Sequence, residues 1–309
     1  MKRAPLVLRS RLATTRPSVV VRAKNKEQTI EEALRGLRDQ TVETEVILVD
    51  SGSTDRTVEI ARPYCDRVIF IPAEAFTYGR ALNLGAQQAA GEVVFALSAH
   101  CVPSSSQWVE LALSAYTDDD VAGTWGPLTR PDGSPLHGPA KFGLADLGWD
   151  VTWGFSNHAS SWRRQTWEQF PFDEHLVACE DKEWMWRVLA AGFSLYADPR
   201  LAVGSSHRRQ AGVLPLYKRV HRERMVLSEM LGYPCSTMPD LVRRWWSDFP
   251  DLSLRPHWQR RCSPWRVAEL VGEYTGDRAG ARRRAEGARS PLPGMLDLTR
   301  PDGPPGGRS

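Results

Sequence analysis

The sequence has 309 residues, of which 25% are charged and 41% hydrophobic, a composition typical of a globular protein with a sizeable core. Its 40 Lys and Arg and 37 Asp and Glu residues give a formal net charge of +3, which predicts no general affinity for nucleic acid. Five cysteines without a C-x-x-C pair indicate neither a structural zinc site nor a disulfide framework, and the apolar runs are too short to span a membrane. We therefore expect a cytoplasmic protein with reduced thiols.

The first third of the chain alternates predicted strands with predicted helices. Short β-branched runs such as Val19-Val20-Val21 predict strands, and apolar residues at i, i+3, i+4 and i+7 from Ile30 predict a helix. The predicted elements are strands at 18–23, 45–50 and 67–71 and helices at about 27–40 and 53–63. Short connections between such elements are typical of a parallel sheet covered on both faces, so we predict a nucleotide-binding type of α/β unit.

Asp50 ends the second predicted strand. It follows the apolar run 46–49 directly and is followed by Ser51, Gly52 and Ser53. Ligands of open α/β sheets lie beyond the carboxyl ends of such strands, so Asp50 is predicted to face a ligand crevice. The alternative is that Asp50 only caps the helix beginning near Ser53.

The turn after the first strand excludes two common nucleotide sites. It reads Arg22-Ala23-Lys24-Asn25-Lys26-Glu27, without the G-x-G-x-x-G of dinucleotide dehydrogenases. The P-loop pattern G-x-x-x-x-G-K-[ST] is also absent from the sequence. A phosphate-bearing ligand would have to be held by other means.

Residues 76–103 hold the second group of candidate site residues. A predicted helix up to about residue 90 carries Arg80 and Asn83 near its N-terminus, where backbone donors and the helix dipole favour anions. The predicted strand at 93–97 leads to Ser98 and His100, at the same sheet edge as Asp50. The alternative for His100 is a hydrogen-bonded structural histidine.

Several motifs, in this order and spacing, resemble family 2 glycosyltransferases with the GT-A fold. The motifs are Val-Val-Val-Arg-Ala-Lys-Asn at 19–25, Val-Asp-Ser-Gly-Ser-Thr-Asp at 49–55, Asn83-Leu-Gly-Ala, Gly-Glu-Val-Val-Phe-Ala-Leu-Ser-Ala-His at 91–100, and Cys179-Glu180-Asp181. The resemblance covers about residues 17–207. It implies an α/β fold with a Rossmann-like mixed sheet flanked by helices, followed in this chain by a C-terminal helical appendage.

The resemblance implies a nucleotide-sugar donor site at the sheet edge. Asp50 would contact a uracil or thymine base, and the turn at Ala23 and Lys24 would line the base pocket. With the residues singled out above, the predicted donor-nucleotide site consists of Ala23, Lys24, Asp50, Ser51, Arg80, Asn83, Ser98, Ala99 and His100.

The family's metal-binding D-x-D motif falls on Ser98-Ala99-His100, which contains no carboxylate. Mg²⁺ and Mn²⁺ prefer oxygen ligands, although Mn²⁺ accepts imidazole more readily than Mg²⁺ does. The departure puts a divalent cation in doubt, and His100 is the alternative direct hydrogen-bond partner of the diphosphate. In the enzymes that the sequence resembles, a histidine at the position of His207 faces the diphosphate or its metal. The resemblance therefore implies His207, with Arg208, as further diphosphate-binding or metal-binding residues. The alternative is that they form a polar cluster at a strand end.

The middle of the chain predicts the acceptor side. A helix at 106–116 and a strand at 121–125 precede a Pro/Gly-rich segment, 126–143, that we predict to be a long loop acting as a lid. The following region is rich in tryptophan, and such residues either stack on sugar rings or form core. The predicted acceptor-side residues are Trp153, Ser156 and Asn157.

Glu180 and Asp181 open a predicted helix that ends at Gly192. Adjacent acids at a helix N-terminus are often only caps that compensate the dipole. The resemblance implies that the pair is catalytic, with Asp181 as the base that removes the proton from an acceptor hydroxyl.

The C-terminal third has a different pattern. Residues 213–231 predict a helix with interleaved basic residues, and 241–246 read Leu-Val-Arg-Arg-Trp-Trp. These segments suggest a helical appendage that closes the acceptor site or forms a homodimer, with a membrane interface as the alternative. The predicted divisions are a basic N-terminal extension at 1–16, the glycosyltransferase domain at 17–210, the appendage at 211–276 and a disordered tail at 277–309.

These observations predict an inverting glycosyltransferase that uses a UDP- or dTDP-sugar and a carbohydrate, lipid-linked or small-molecule acceptor. It would be cytoplasmic, with peripheral contact at the inner face of the membrane left open. One alternative is a protein that binds a nucleotide sugar without turnover. Another is a nucleotidyltransferase of similar fold.

Overall fold

The computed structural model describes residues 16–128, 130, 134–147, 153–205, 212–231, 237–247 and 263–287. By contacts the chain divides into two units, one of Met1–Leu176 with Glu180–Ser206 and one of Val177–Cys179 with His207–Ser309. Among the described residues, no helix is both long enough and apolar enough to cross a membrane.

Strands of the first unit alternate with helices. The strands are β1 Ser18–Ala23, β2 Glu45–Asp50, β3 Arg67–Phe70, β4 Val93–Ser98, β5 Cys101–Pro103, β6 Val121–Trp125, β7 Ala140–Phe142, β8 Ala159–Arg163, β9 Ser194–Ala197 and β10 Val203–Ser205. The helices are α1 Ile30–Arg38, α2 Thr57–Ala61, α3 Tyr78–Gln88, α4 Trp108–Ser114, α5 Arg164–Gln169 and α6 Glu180–Ala190.

Eight of these strands form one mixed sheet in the order β3-β2-β1-β4-β8-β6-β9-β7. The first four strands of that order are parallel, and β8 joins β4 antiparallel. A separate two-stranded ribbon pairs β10 with β5. The fold is therefore a mixed α/β sheet, and the carboxyl ends of its parallel strands meet at one edge.

The core explains why the β1 and β2 sequences form central strands. All six residues of β2 are buried, and Val19, Val20 and Val21 of β1 have no exposed surface. Side chains buried on both faces are what a parallel strand covered by helices requires. Helix α3 lies so close to β1 that a Cβ added at Gly85 would come within 2.4 Å of a Val20 methyl carbon. Close helix-to-sheet contact thus depends on glycine at this position.

Four strands and helices of the first unit, β5, β7, β8 and α5, were not predicted from the sequence. Strand β8 reads Ala-Ser-Ser-Trp-Arg, which shows no apolar alternation. Its serines can be buried because other polar side chains form hydrogen bonds with them. Ser161 Oγ, for example, lies 2.8 Å from Tyr116 Oη and 2.7 Å from Thr124 Oγ1. Helix α5 follows it directly, and β7 lies inside the segment 126–143 predicted as a loop.

Several predicted helices are shorter in the structure. The helix predicted at 53–63 begins only at Thr57, because 51–56 form a turn whose last acid, Asp55, accepts hydrogen bonds from the backbone N–H and hydroxyl of Thr57. The helix predicted at 27–40 spans Ile30–Arg38. In both cases the loop at the sheet edge takes residues that the periodicity had assigned to the helix.

The second unit contains α7 Val213–Leu231, α8 Met238–Ser247 and α9 Pro264–Ala285. Glycines at every fourth position of α9 allow its backbone to approach α7. A Cβ at Gly272 would lie 3.1 Å from the Tyr217 carbonyl oxygen, one at Gly276 2.5 Å from that of His221, and one at Gly280 2.2 Å from that of Met225. Because the contacts advance along both helices together, α7 and α9 run parallel.

The prediction of a disordered tail from Asp277 is wrong for its first residues, because α9 continues to Ala285. Asp277 is fully buried, and its carboxylate accepts two hydrogen bonds of 2.9 Å from the Arg224 guanidinium. A buried acid needs such a partner, so this ion pair belongs to the interior of the unit. Residues 288–309 of the predicted tail lie outside the described residues.

Candidate active site

The carboxyl edge of the parallel strands brings together residues that are distant in sequence. Ala23 is the register partner of Asp50, and Arg22 is the register partner of Ser98. Ser98 in turn donates its backbone N–H to His158 O, at 2.9 Å, just before β8. The ends of β1, β2 and β4 and the turn before β8 therefore meet at one edge.

Asp50 is 1% exposed, and its carboxylate organises the turn after β2. Oδ2 accepts the backbone N–H groups of Gly52 and Ser53 at 3.0 and 2.9 Å, and Oδ1 accepts the Ser53 hydroxyl. Ser51 is also buried and donates its N–H to Ala23 O at 3.0 Å. Asp50 thus shapes the turn rather than capping a helix at Ser53, while its role toward a base stays a prediction.

The loops after β1 and β2 are joined by hydrogen bonds that the sequence did not reveal. Asn25, in a left-handed conformation with φ 51°, accepts the Thr54 N–H at 2.9 Å and donates its own N–H to Ser53 Oγ at 2.9 Å. Lys24 stays exposed beside this junction. The two loops thus form one ordered wall at the sheet edge, with a lysine on its surface.

Ser98, Ala99 and His100 continue from β4 into the next wall. Ala99 is buried and donates its N–H to Arg22 O at 3.2 Å, while its carbonyl accepts the Thr29 hydroxyl at 2.8 Å. Ser98 and His100 are half-buried. The segment is therefore fixed to β1 at the predicted edge.

Glu180 and Asp181 begin α6, and Asn157 connects both acids to the sheet edge. The Asn157 backbone N–H donates to Asp181 Oδ2 at 3.2 Å, and its amide nitrogen lies 3.4 Å from Glu180 Oε1. Asn157 is 2% exposed, whereas Asp181 is half-buried. Asn157 was predicted to lie on the acceptor side, and in the structure it contacts both Glu180 and Asp181.

Arg22 was not predicted as a site residue, although it is the polar residue within a buried strand. Its guanidinium donates through Nη2 to the Asn157 carbonyl, and Nη1 lies 3.7 Å from Glu180 Oε1. The side chain is only 10% exposed and stands over the Tyr78 ring, 5.5 Å from its centroid. A charged residue inside an apolar strand is the signal that could have identified it.

Glu180 and Asp181, the first two residues of α6, differ in their environment. Burial, and then the charge of Asp181, raise the pKa of Glu180 to about 7 from an ordinary 4.5, while Arg22 and Asn157 act in the opposite direction. Glu180 is thus held largely away from solvent, whereas Asp181 keeps contact with it. One acid at this edge is positioned to exchange a proton with a bound molecule.

Asn83 and Arg80 were both predicted to contact the donor, and the structure separates them. The Asn83 amide is buried: its nitrogen donates to Phe172 O and Glu174 Oε1, and its oxygen accepts from Trp167 Nε1 and the Phe172 N–H, at 2.8–3.1 Å. This use of every amide atom is structural, so we leave Asn83 out of the donor site. Arg80 is exposed in the first turn of α3, where its N–H is capped by Thr77 Oγ1.

The remaining acceptor-side predictions fall on the turn before β8. Ser156 Oγ lies 2.7 Å from His158 Nδ1. Trp153 packs edge-on against Trp125 and Phe142, with ring centroids 5.3 and 5.0 Å away, so it belongs to an aromatic cluster. His207 and Arg208 lie outside the described residues.

Comparison with known proteins shows which family this edge resembles. Residues 18–167 match the family model described as Glycosyl transferase family 2. The similarity is therefore to family 2 glycosyl transferases and covers just under half of the chain. The match includes Ala23, Asp50 and Ser98 at the sheet edge and ends before Glu180 and Asp181.

Two curated relatives carry related names. The chain is 28% identical over 181 residues to the O-antigen chain rhamnosyltransferase WbaN of Salmonella anatum, covering 53% of this chain and 57% of that protein. It is 30% identical over 200 residues to the glycosyltransferase AglE of Haloferax volcanii, covering 58% of this chain and 62% of that protein. The similarity thus spans about three fifths of the length of these relatives.

Solved structures confirm the predicted GT-A fold. The mannosyltransferase PcManGT of Pyrobaculum calidifontis, in complex with GDP-Man and Mn²⁺, has a TM-score of 0.55 at 18% identity over 91% of this chain and 78% of its own. TarS residues 1–349 of S. aureus give a TM-score of 0.51 at 16% identity, with 88% and 92% covered.

The described residues at the sheet edge offer few ligands for a divalent cation. Among the described residues, no group of three or more His, Cys, Asp or Glu side chains is placed to hold a metal ion. The segment in the D-x-D position offers one hydroxyl and one imidazole, whereas Mg²⁺ and Mn²⁺ prefer several oxygen ligands, carboxylates above all. The described side chains therefore do not fit such an ion.

Proposed function

We propose that the protein is an inverting glycosyltransferase that transfers a sugar from a nucleoside diphosphate sugar to an acceptor hydroxyl. The observation that carries this proposal is the connection of Asp181, through Asn157, to the edge where β1, β2 and β4 end. A proton acceptor therefore lies beside the place where an open α/β sheet binds its ligand.

The proposed reaction is a single displacement. The acceptor oxygen forms a bond to the anomeric carbon while the bond from that carbon to the diphosphate oxygen breaks. Asp181 takes the hydroxyl proton, and the nucleoside diphosphate leaves with the bonding electron pair. A half-buried carboxylate with one oxygen oriented by the Asn157 N–H suits this role, since a general base must be held in hydrogen-bond reach of its substrate.

The donor would lie along the walls formed by the loops after β1, β2 and β4. Asp50 and Ala23 are proposed to line the base pocket with Lys24, and His100 to meet the diphosphate. The names of the curated relatives make a deoxyhexose one candidate sugar, and UDP or dTDP the first nucleotides to test. A carbohydrate, a lipid-linked saccharide or a small molecule would serve as acceptor.

The test is a screen of donor turnover. Purified protein is incubated with UDP-, dTDP- and GDP-sugars, with and without Mn²⁺, and nucleoside diphosphate release is measured alone and with candidate acceptors. We expect release with at least one donor. We expect Asp181→Asn to lower it by about 100-fold or more, with nucleoside diphosphate affinity within about 3-fold of wild type.

Glu168→Gln is the matched control, since Glu168 is a surface acid on α5 whose side chain is 57% exposed. It should leave turnover unchanged. Normal turnover by Asp181→Asn would remove Asp181 from the role of base. Tight nucleotide-sugar binding without turnover of any donor would instead favour a non-catalytic binding protein, for which the missing carboxylates at 98–100 are the supporting observation.

A further inference from the structure

Arg22 combines features that a purely stabilising residue would not need. Its side chain is nine-tenths buried, yet its carboxylate partner is 3.7 Å away and its buried Nε finds no hydrogen-bond partner. A buried charge with an unpaired N–H costs stability, because the desolvation of that group is not recovered. The position therefore calls for an explanation other than the strength of the fold.

The polar contacts of the Arg22 guanidinium lead to the proposed base. Nη2 donates to the Asn157 carbonyl, and Nη1 approaches the Glu180 carboxylate. Asn157 approaches the same Glu180 oxygen through its side chain and holds Asp181 through its backbone N–H. Removal of the guanidinium would leave the Asn157 peptide and Glu180 without their shared cationic partner.

We propose that Arg22 is a positioning residue: it fixes Asn157 and Glu180 so that the Asn157 N–H holds the Asp181 carboxylate at the edge of the sheet. This inference rests on the proposed function and adds a residue to it. Arg22 acts through Asn157 and touches neither the sugar nor the acceptor in this role.

The electrostatics of the pair agree with the geometry. The charged groups that act on Glu180 are Arg22 from β1 and Asp181 from α6. The ammonium of Lys182, the next residue of α6, is bound to the carbonyls of Gly154 and Phe155 at 2.9 and 2.8 Å. Arg22 opposes the effect of burial on the pKa of Glu180. Loss of the guanidinium should therefore leave Glu180 protonated to a higher pH.

Arg163 provides a matched control within the same sheet. It is also a buried strand arginine, stands over a tyrosine ring at 5.2 Å and donates to the carbonyls of Val121, Tyr116 and Asp118 at 3.0, 2.6 and 2.9 Å. It is the register partner of Val93, at the start of β4, whereas Arg22 pairs with Ser98 at its end. The two arginines thus share chemistry and burial but lie at opposite edges of the sheet.

The experiment compares Arg22→Met and Arg163→Met. For Arg22→Met we expect kcat to fall by about 100-fold, the effect of a misplaced catalytic group, with nucleoside diphosphate affinity within about 3-fold and little change in the urea midpoint. For Arg163→Met we expect a lower urea midpoint and near-normal kcat under native conditions. Arg22→Lys, which keeps the charge but not the fork, should have an intermediate kcat.

A second measurement does not depend on turnover. Carbon-13 NMR of labelled glutamate carboxyl groups, with Glu180→Gln to assign the signal, gives the titration of Glu180. We expect its midpoint to rise in Arg22→Met and to rise less in Arg22→Lys. Guanidinium chloride at millimolar concentration should restore part of the turnover of Arg22→Ala, and sodium chloride should not.

The outcomes separate this inference from the function it rests on. Turnover lost in Asp181→Asn but retained in Arg22→Met, or an unchanged Glu180 titration, would overturn the role of Arg22 alone. Absence of donor turnover in the wild type would overturn the proposed function and this role together. Equal loss of midpoint in Arg22→Met and Arg163→Met would make Arg22 a structural residue.

Discussion

At the scale of single residues, the polar side chains of the site differ in their burial and in their hydrogen bonds. Asp50 and Asn83 are both buried and hydrogen-bonded, and Asp181 is the acid that combines an oriented oxygen with access to solvent. Glu180, beside it, is buried, and the Arg22 guanidinium lies 3.7 Å from its carboxylate. The two neighbouring carboxyl groups thus differ in burial, and burial raises the pKa of Glu180.

The first prediction concerns the stability of Glu180→Gln as a function of pH. Folded Glu180 keeps its proton up to about pH 7, whereas the unfolded chain loses it near 4.5. Stability from this group is therefore present below the unfolded value and is lost as pH rises toward 7. The variant should become more stable than wild type across this interval, by up to about 3 kcal/mol above pH 7.

Urea unfolding of both proteins between pH 5 and pH 8 measures this difference. Glu168→Gln should give a constant difference over the same range, because Glu168 is a surface acid. A pH-independent difference for Glu180→Gln would show that Glu180 is ionised in the folded protein throughout.

At the scale of elements, backbone proximity decides which helices can pack. Gly85 allows α3 to contact β1, and the glycines of α9 allow it to contact α7. Such glycines weaken an isolated helix, since glycine costs about 1 kcal/mol relative to alanine in a helix interior. The tertiary contact therefore has to recover more than this amount.

Gly276→Ala is the second prediction. Helix propensity alone would favour alanine, but its Cβ would lie 2.5 Å from the His221 carbonyl oxygen and 2.8 Å from the Arg224 Cβ. Since the first of these is a backbone atom, we expect a net loss of about 2 kcal/mol in the free energy of unfolding. Arg282→Ala, at an exposed position of the same helix, should change it by less than about 0.5 kcal/mol.

Helical content and thermal unfolding of the two variants provide the comparison. A Gly276→Ala protein at least as stable as wild type would mean that α7 and α9 do not pack through Gly272, Gly276 and Gly280 in solution.

At the scale of the whole molecule, the chain consists of two units with separate cores. The first is centred on the sheet and includes Val19, Leu48 and Phe95, and the second contains the buried pair Arg224 and Asp277. The proposed nucleotide site lies entirely on elements of the first unit. A ligand that binds only the folded form of one unit stabilises that unit by mass action.

The third prediction is that a nucleoside diphosphate and Gly276→Ala act on different parts of a calorimetric unfolding profile. A nucleotide at 100 times its dissociation constant should stabilise the first unit by about 2.7 kcal/mol. Gly276→Ala should shift only the transition of the second unit. A single transition that both perturbations shift equally would show that the units unfold as one.

The sequence by itself determined the architecture of the first third of the chain. Apolar runs at 18–23 and 45–50 can satisfy their side chains only as buried strands, and the order of motifs around them indicated the family. The same reasoning located Asp50, Ser98 and Glu180 near strand or helix ends, because polar residues that directly follow buried elements emerge at an edge. It also gave the positions of α7 and β9 to within about two residues.

Only the tertiary structure decided what those polar residues contact. Nothing in the sequence separates an Asn83 whose amide is fully used inside the protein from an Asn157 that holds the proposed base, since both are buried asparagines in polar surroundings. Strand β8 and the end of α9 were missed because serine hydroxyls and Asp277 are buried by partners that lie more than 30 residues away. Periodicity reports whether a side chain is apolar, but the satisfaction of a polar group depends on distant atoms that come together only when the chain folds.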